Sequence, residues 1–214
     1  MKKLIYLTVL FFAFVSCSSD DMEPDYTAFL NLNTPGFIGN IDGSPFNFSF
    51  SWDNFNSSSN SAISDSSTLF NLSQNERVLT YSLSKQDLNI IYSPDFCNNN
   101  QTYGVIHGFD ISSPKFNYVS GDIFNSALEL GKKNIGNLEN AFNLSFYFDS
   151  KKYCVSEDVE VIEILKTENI EDNETHYILV WLLLDNIVLE NNEDGESINI
   201  SNGKIIAKFR RFLN

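Results

Sequence analysis

Three cysteines, two histidines and 28 acidic residues are the side chains of this 214-residue chain with chemistry to offer. Cys17 is the most informative of them, because it stands in FVSCSSDD, where an apolar run ends abruptly in serine and aspartate. A thiol at such a boundary can be acylated once a leader is cut away. Each buried CH₂ of an acyl chain contributes about 0.8 kcal/mol, so several chains on one residue make a durable anchor. The other two, Cys97 and Cys154, can bridge in an oxidising compartment or stay as two buried thiols. A bridge would contribute about 4 kcal/mol for a loop of that length in the chain-entropy model. Neither has a second cysteine or histidine at the spacing a zinc site needs.

The histidines, His107 in GVIHGF and His176 in ETHY, are too few for a His-rich catalytic centre and read as strand positions. G-x-S-x-G, H-E-x-x-H and G-x-x-x-x-G-K-[ST] do not occur. A glycosidase pair needs two carboxylates about 5 to 10 Å apart across a substrate bond, which spacing along a chain does not reveal. Glu190–Gly195 (ENNEDG) carries oxygen ligands at alternate positions before a glycine, in the manner of an EF-hand loop. Its first residue is Glu rather than Asp, however, and Ser201 stands where the bidentate Glu belongs, so a polar hairpin turn is the better reading. Glu168–Glu174 (ENIEDNE) reads as a solvated acidic loop. No cofactor and no metal are expected.

The elements around Cys17 make its role specific. Lys2 and Lys3 precede the apolar run Leu4–Val15, which small polar residues follow, the layout of a secretory signal peptide. The run falls short of the about 20 residues that cross a bilayer as a helix. Phe14, Val15 and Ser16 before Cys17 resemble a lipobox, with Phe14 in place of the usual Leu and Ser16 in place of Gly or Ala. The acidic SSDD that follows resembles the surface-export signal of Bacteroidota lipoproteins; a tether facing the periplasm is the alternative. The expected organisation is a lipoprotein signal peptide over 1–16, an acidic tether over 17–25 and one β-rich domain over 26–214.

Composition narrows the partners. The formal charge is −14 and loses two further positive charges with the leader. Such a chain repels phosphate backbones, so nucleic acid is excluded as a partner, and whole-chain charge likewise opposes anionic headgroups.

In the domain, Tyr26–Leu32 reads as a first strand. Phe46, Phe48, Phe50 and Trp52 alternate with Asn47, Ser49 and Ser51, giving a strand with an aromatic inner face, paired back to Phe37–Ile41 through the Asp42-Gly43 turn. Residues 53–67 are Asn/Ser-rich and read as a loop. Strands are expected at Thr68–Leu72, Arg77–Leu83, Asp87–Tyr92, Thr102–Ile111 and Lys115–Tyr118. A short helix near residues 121–131, within SGDIFNSALELG, stops at Gly131, with Lys132 and Lys133 near its negative end. Strands follow at Asn143–Phe148, Val159–Thr167, Thr175–Leu184, Asn186–Leu189 and Ser197–Phe209. The fold class is mainly β: an antiparallel β-sandwich or barrel-like domain with one short helix.

FIGNIDGSPF (37–46), FNSALELGKK (124–133), NLSFYFDSKKYCVSE (143–157) and INISNGKIIAKF (198–209) together resemble a family of Bacteroidota lipoproteins of unknown function. NLSFYFDSKKYCVSE lacks the glycine of the family's turn; Ser150, Lys151 and Lys152 stand there. The resemblance implies a lipoprotein signal and a β-rich domain of about this size, and brings no catalytic residues. The expected protein is an outer-membrane lipoprotein, attached to the membrane through its N-terminal lipid and facing the cell surface. Its non-catalytic domain would bind an extracellular glycan or protein, or serve an envelope assembly. Phe55, Phe96 and Tyr103 are the candidate stacking aromatics. A purely structural or adhesive lipoprotein and a carboxylate-based hydrolase are the alternatives.

Overall fold

A computed structural model describes residues 25–50, 61–71, 76–87, 105–117, 127–136, 141–155, 162–172 and 175–211. They form a single helical turn, α1 (Thr27–Leu30), and thirteen strands. The first seven strands are β1 (Gly36–Ile41), β2 (Ser44–Ser49), β3 (Ser61–Asn71), β4 (Glu76–Asp87), β5 (Val105–Ser112), β6 (Phe116–Asn117) and β7 (Gly131–Lys133). The remaining six are β8 (Asn143–Phe148), β9 (Lys151–Val155), β10 (Ile162–Asp172), β11 (Thr175–Leu184), β12 (Ile187–Glu190) and β13 (Ser197–Arg211).

One antiparallel sheet runs β3-β4-β5-β8-β9-β12-β13-β11-β10-β7, with β1 on β13, β2 on β1 and β6 on β4. This is the mainly β, sandwich-like class expected from the strand spacing. The sheet folds over so that one face encloses one core, in which Phe37, Phe48, Tyr81, Phe109, Phe146, Val180 and Phe209 are all buried. The Tyr81 and Phe209 rings, 6.4 Å apart, close the fold between β4 and β13. The Arg210 N–H donates to Ser67 Oγ over 2.8 Å between β13 and β3.

The backbone of the fold is one long bent hairpin. β11 and β12 share a continuous register with β13, from His176↔Arg211 to Leu184↔Gly203 and on from Ile187↔Ile200 to Glu190↔Ser197. The bend lies where Asn186 and Asn202 take φ of 47° and 52°. Beyond it the outer partner changes from β10 to β9. Gly203 permits the bend: a Cβ there would lie 2.9 Å from both Ile200 Cγ2 and Leu184 Cβ. β1 passes the same point with an irregularity between Ile38 and Asn40.

Local chemistry explains most elements. Asp42 and Gly43, at φ of 49° and 77°, make the two-residue turn that sets Phe37 opposite Phe48. Phe48 is buried, while Phe46 and Phe50 pack against the core in part; Trp52 lies outside the described residues. YILVWLLL is apolar throughout because both faces of β11 are covered. Ile178, Val180, Leu182 and Leu184 join the large core, and Leu179 and Trp181 join a second cluster with Phe29 and Ile206.

Several expectations are corrected. Tyr26–Leu32 is not a strand: Asp25 Oδ1 accepts the Thr27 N–H at 2.9 Å and starts α1. The Trp181 Nε1–H donates to Leu32 O at 3.0 Å, which pins the segment to β11. The loop placed over 53–67 gives way at Ser61 to β3, which pairs with β4 along its full length despite a sequence poor in apolar residues. The strand expected at Arg77–Leu83 runs on as β4 to Asp87; of the strand expected at Asp87–Tyr92, residues 88–92 lie outside the described ones. Glu168–Asp172 is strand rather than loop, carried by pairing with β11. The helix near 121–131 falls mostly outside the described residues; Ala127 is helical, and Gly131 (φ 104°) opens β7. Lys132 and Lys133 therefore sit in a strand, opposite Glu163 and Ile162.

Candidate functional site

Two places in the described fold gather chemistry-bearing side chains. The first is the face of β4, β5, β8 and β9 turned away from the large core. Alternation puts Phe109 and Ile111 into that core and Asp110 out of it. Antiparallel register then aligns Ser82, Asp110, Ser145 and Cys154 in one row. Ser84, Gly108, Tyr147 and Lys152 form the next row, and Thr80, Ser112 and Asn143 a third. Most of these polar residues are buried, Ser145 and Tyr147 at 4 % exposure.

Asp110 is the centre of this face. The Tyr147 hydroxyl donates to Asp110 Oδ2 over 2.8 Å. The residue as a whole keeps some exposure, yet burial of its carboxyl raises the pKa above the usual carboxylate value. Hydrogen bonds from Ser82 and Tyr147 and the charge of Lys152 oppose that rise. Along the Asp110 row the next carboxylate is Glu190, opposite Cys154. It is three strand spacings away, about 14 Å, beyond the separation of a glycosidase pair.

Cys154 in β9 is disulfide-bonded. A disulfide sulfur carries no hydrogen, so the Ser145 hydroxyl is the donor in the 3.7 Å contact between Ser145 Oγ and Cys154 Sγ. Cys97 and Cys17 lie outside the described residues, as do Phe55, Phe96 and Tyr103.

The second place is the end of the core beneath the β1–β2 and β8–β9 turns. His107 of β5 lies 5.4 Å from the Phe46 ring and 5.6 Å from the Phe148 ring. Phe46 and Phe148 are 5.4 Å apart, edge to face. Phe37 and Phe146 continue the cluster inward at 4.9 Å from each other. The His107 Nδ1 accepts the Asp149 N–H at 3.5 Å, leaving the ring proton on Nε2, 4.0 Å from Asp149 Oδ1. Burial holds the imidazole pKa below its usual value; Lys85 acts in the same direction, and Asp149 opposes both. His107 is therefore neutral at pH 7, a quarter exposed by side chain, with the Asp149 side chain 76 % exposed beside it. This rim presents aromatic surface, one N–H donor and one carboxylate, the combination that orients a small ligand.

The ENNEDG segment is a hairpin loop. Asn191 Oδ1 accepts the Glu193 and Asp194 N–H groups at 2.7 and 3.3 Å. Lys151 Nζ donates to Asp194 Oδ2 at 2.9 Å and Glu196 Oε2 at 2.6 Å, and these two bonds raise its pKa. The carboxylates thus tie the β8–β9 hairpin to the β12–β13 loop. His176 Nδ1 sits 3.3 Å from Glu171 Oε1, its cross-strand partner. Among the described residues no group of three or more His, Cys, Asp or Glu is placed to hold a metal. No helix among them is long and apolar enough to cross a membrane.

Neither place was apparent in the chain. Asp110 and Tyr147 lie 37 positions apart, and only register unites them. For the rim there was a usable signal at one residue: Phe148 sits beside the Asp149-Ser150 turn, which puts it at the end of β8, whereas Phe46 lies within β2. Comparison with protein families, curated proteins and solved structures finds no match for this chain.

Proposed function

We propose that this protein is a lipid-anchored envelope lipoprotein of the Bacteroidota type, held by acyl chains on Cys17 and displayed at the cell surface, with a β-domain that binds an extracellular glycan or protein without catalysis. The anchor reading rests on the leader, Cys17 and the acidic residues after it. The binding reading rests on the Phe46–His107–Phe148 rim with Asp149 beside it. A sugar ring has an apolar C–H face to lay on an aromatic ring and hydroxyls for the imidazole and carboxylate, so a glycan is the ligand class this rim suits best. Binding is favoured over hydrolysis because Asp110 is held by Tyr147 and is far along its row from the next carboxylate. With Cys17 acylated, Cys97 is the remaining thiol in the chain for the Cys154 bridge.

The tests separate anchor from ligand. In producing cells, Cys17→Ser should abolish labelling by a radioactive fatty acid, and undiminished labelling would rule the anchor out. Protease added to intact cells should degrade the protein; protection would place it on the periplasmic side. A glycan array probed with the full-length protein in detergent should give signals that Phe46→Ala and Phe148→Ala each weaken about tenfold, as loss of one buried aromatic contact implies. Unchanged signals would remove the rim from binding.

A further inference from the structure

The chain is strongly acidic, yet one face of the fold is basic. Across β10, β11 and β13 the register places Lys166 beside Trp181 and Ile206, Leu179 beside Lys208, Tyr177 beside Arg210, and Leu183 beside Lys204. These are the positions turned away from the large core. At the centre, Leu179, Trp181 and Ile206 are covered by Phe29 of α1. Around them the cations lie against aromatic rings. Lys166 Nζ and Lys208 Nζ stand 4.2 Å from the Trp181 and Tyr177 centroids, and Lys204 Nζ stands 5.8 Å from those of Tyr26 and Phe29. Glu163, between Leu183 and Lys132, and Glu168, 2.7 Å from Lys166, are the acidic residues within these rows, with Asp25 and Asp185 flanking them. Leu32 and Ile38, at 41 % and 38 % exposure, add apolar surface at the border.

We propose that this outer face of β10, β11 and β13, with α1 on it, docks onto anionic lipid headgroups and lays the domain against a bilayer. The inference rests on the lipid-anchor reading. Lysines interleaved with aromatic rings on one face, their ammonium groups lying over the rings, have the form of a membrane-surface contact. The acidity of the other faces does not cancel this attraction, because at physiological ionic strength it is screened beyond about 8 Å. Geometry selects a lipid surface over a soluble anion: α1 brings the start of the domain onto this face, and Asp25 is eight positions from Cys17. That segment spans at most about 28 Å when fully extended, so an anchored Cys17 keeps the face close to the bilayer. Whole-chain charge, which opposes anionic headgroups, is thus reversed locally by strand register.

The test uses full-length protein purified in detergent and reconstituted into vesicles of phosphatidylcholine alone or mixed with phosphatidylglycerol. An amine-reactive reagent is applied, and labelling of Lys204 and Lys208 is compared by mass spectrometry with that of Lys151, on the β8–β9 hairpin away from this face. Docking predicts labelling of Lys204 and Lys208 about fivefold slower on the mixed vesicles, the weight of one cation at an anionic surface, with Lys151 unchanged and the difference lost in high salt. Equal labelling on both vesicles overturns the proposal. So does the same protection by heparin without vesicles, which would give the face to an anionic glycan. Flotation reads the anchor separately: an anchored protein floats with both vesicle types whatever the face does. Flotation with the mixed vesicles alone would keep the face and discard the anchor.

Discussion

Tyr147 and Asp110 meet across β8 and β5, the phenol donating to the carboxylate over 2.8 Å on the face of the sheet turned away from the large core. The pair belongs to a stripe of small polar residues that strand register gathers beside the disulfide-bonded Cys154. Thr80 and Ser112 likewise meet across β4 and β5, at 2.8 Å. This face is therefore ordered by hydrogen bonds where the opposite one is ordered by aromatic packing.

Tyr147→Phe should destabilise the fold by about 1–3 kcal/mol, because it leaves a buried carboxylate short of a donor. Because burial raises the Asp110 pKa, the folded state holds that proton more tightly than the unfolded chain. Its contribution to stability is thus full below about pH 4, the unfolded value, and is lost as pH rises through the raised one. Asp110→Asn should flatten that part of the profile in urea unfolding measured across pH. An unaltered profile would show that Asp110 is not the titrating group.

His107 shifts the other way. Its pKa is depressed, so the unfolded chain takes the proton first. The neutral ring contributes fully above about pH 6.5, and that contribution is lost as pH falls towards the depressed value. An NMR titration should show His107 turning at lower pH than free histidine, and His107→Gln should remove the acid-side loss in stability. A midpoint at or above that of free histidine would contradict the burial assigned to the ring.

The β8–β9 turn carries two non-glycine residues at positive φ, Asp149 at 48° and Ser150 at 65°. Aspartate tolerates this region better than serine. Ser150→Gly should therefore raise stability by about 1 kcal/mol in denaturant unfolding. A loss would mean that the serine side chain contributes an interaction worth more than its backbone strain.

Phe29→Ala should cost about 3 kcal/mol and admit water to Trp181, which is fully buried beneath it. Tryptophan emission should shift to the red; a Trp52→Phe background isolates the Trp181 signal. Unchanged emission would show that α1 does not cover this face.

What could be read from the chain alone was whatever neighbours in sequence decide. The alternation of Phe46, Phe48 and Phe50 is the signature of a strand with one buried face, and Asp42-Gly43 names its own turn, because φ above zero suits those two residues. Asn143–Phe148 and Thr175–Leu184 were bounded correctly, their runs being apolar and flanked by turn formers. The proposed leader and its Cys17 are read in the same way, as a linear string.

The rest depends on which strand lies beside which. β3 is polar from Ser64 to Ser67 and becomes a strand through its ladder to β4. Residues 27–30 turn into a helix because Phe29 is needed over Trp181. The bend at Asn186 and Asn202 exists only when a single register runs through β11, β12 and β13. The Asp110 row, the His107 rim and the basic face are likewise products of register, since a slip of one residue would send each of those side chains to the opposite face. Sequence by itself determined the strands that carry their own pattern. Tertiary structure decided which side chains share a face, because antiparallel pairing couples residues far apart in the chain that no local preference links.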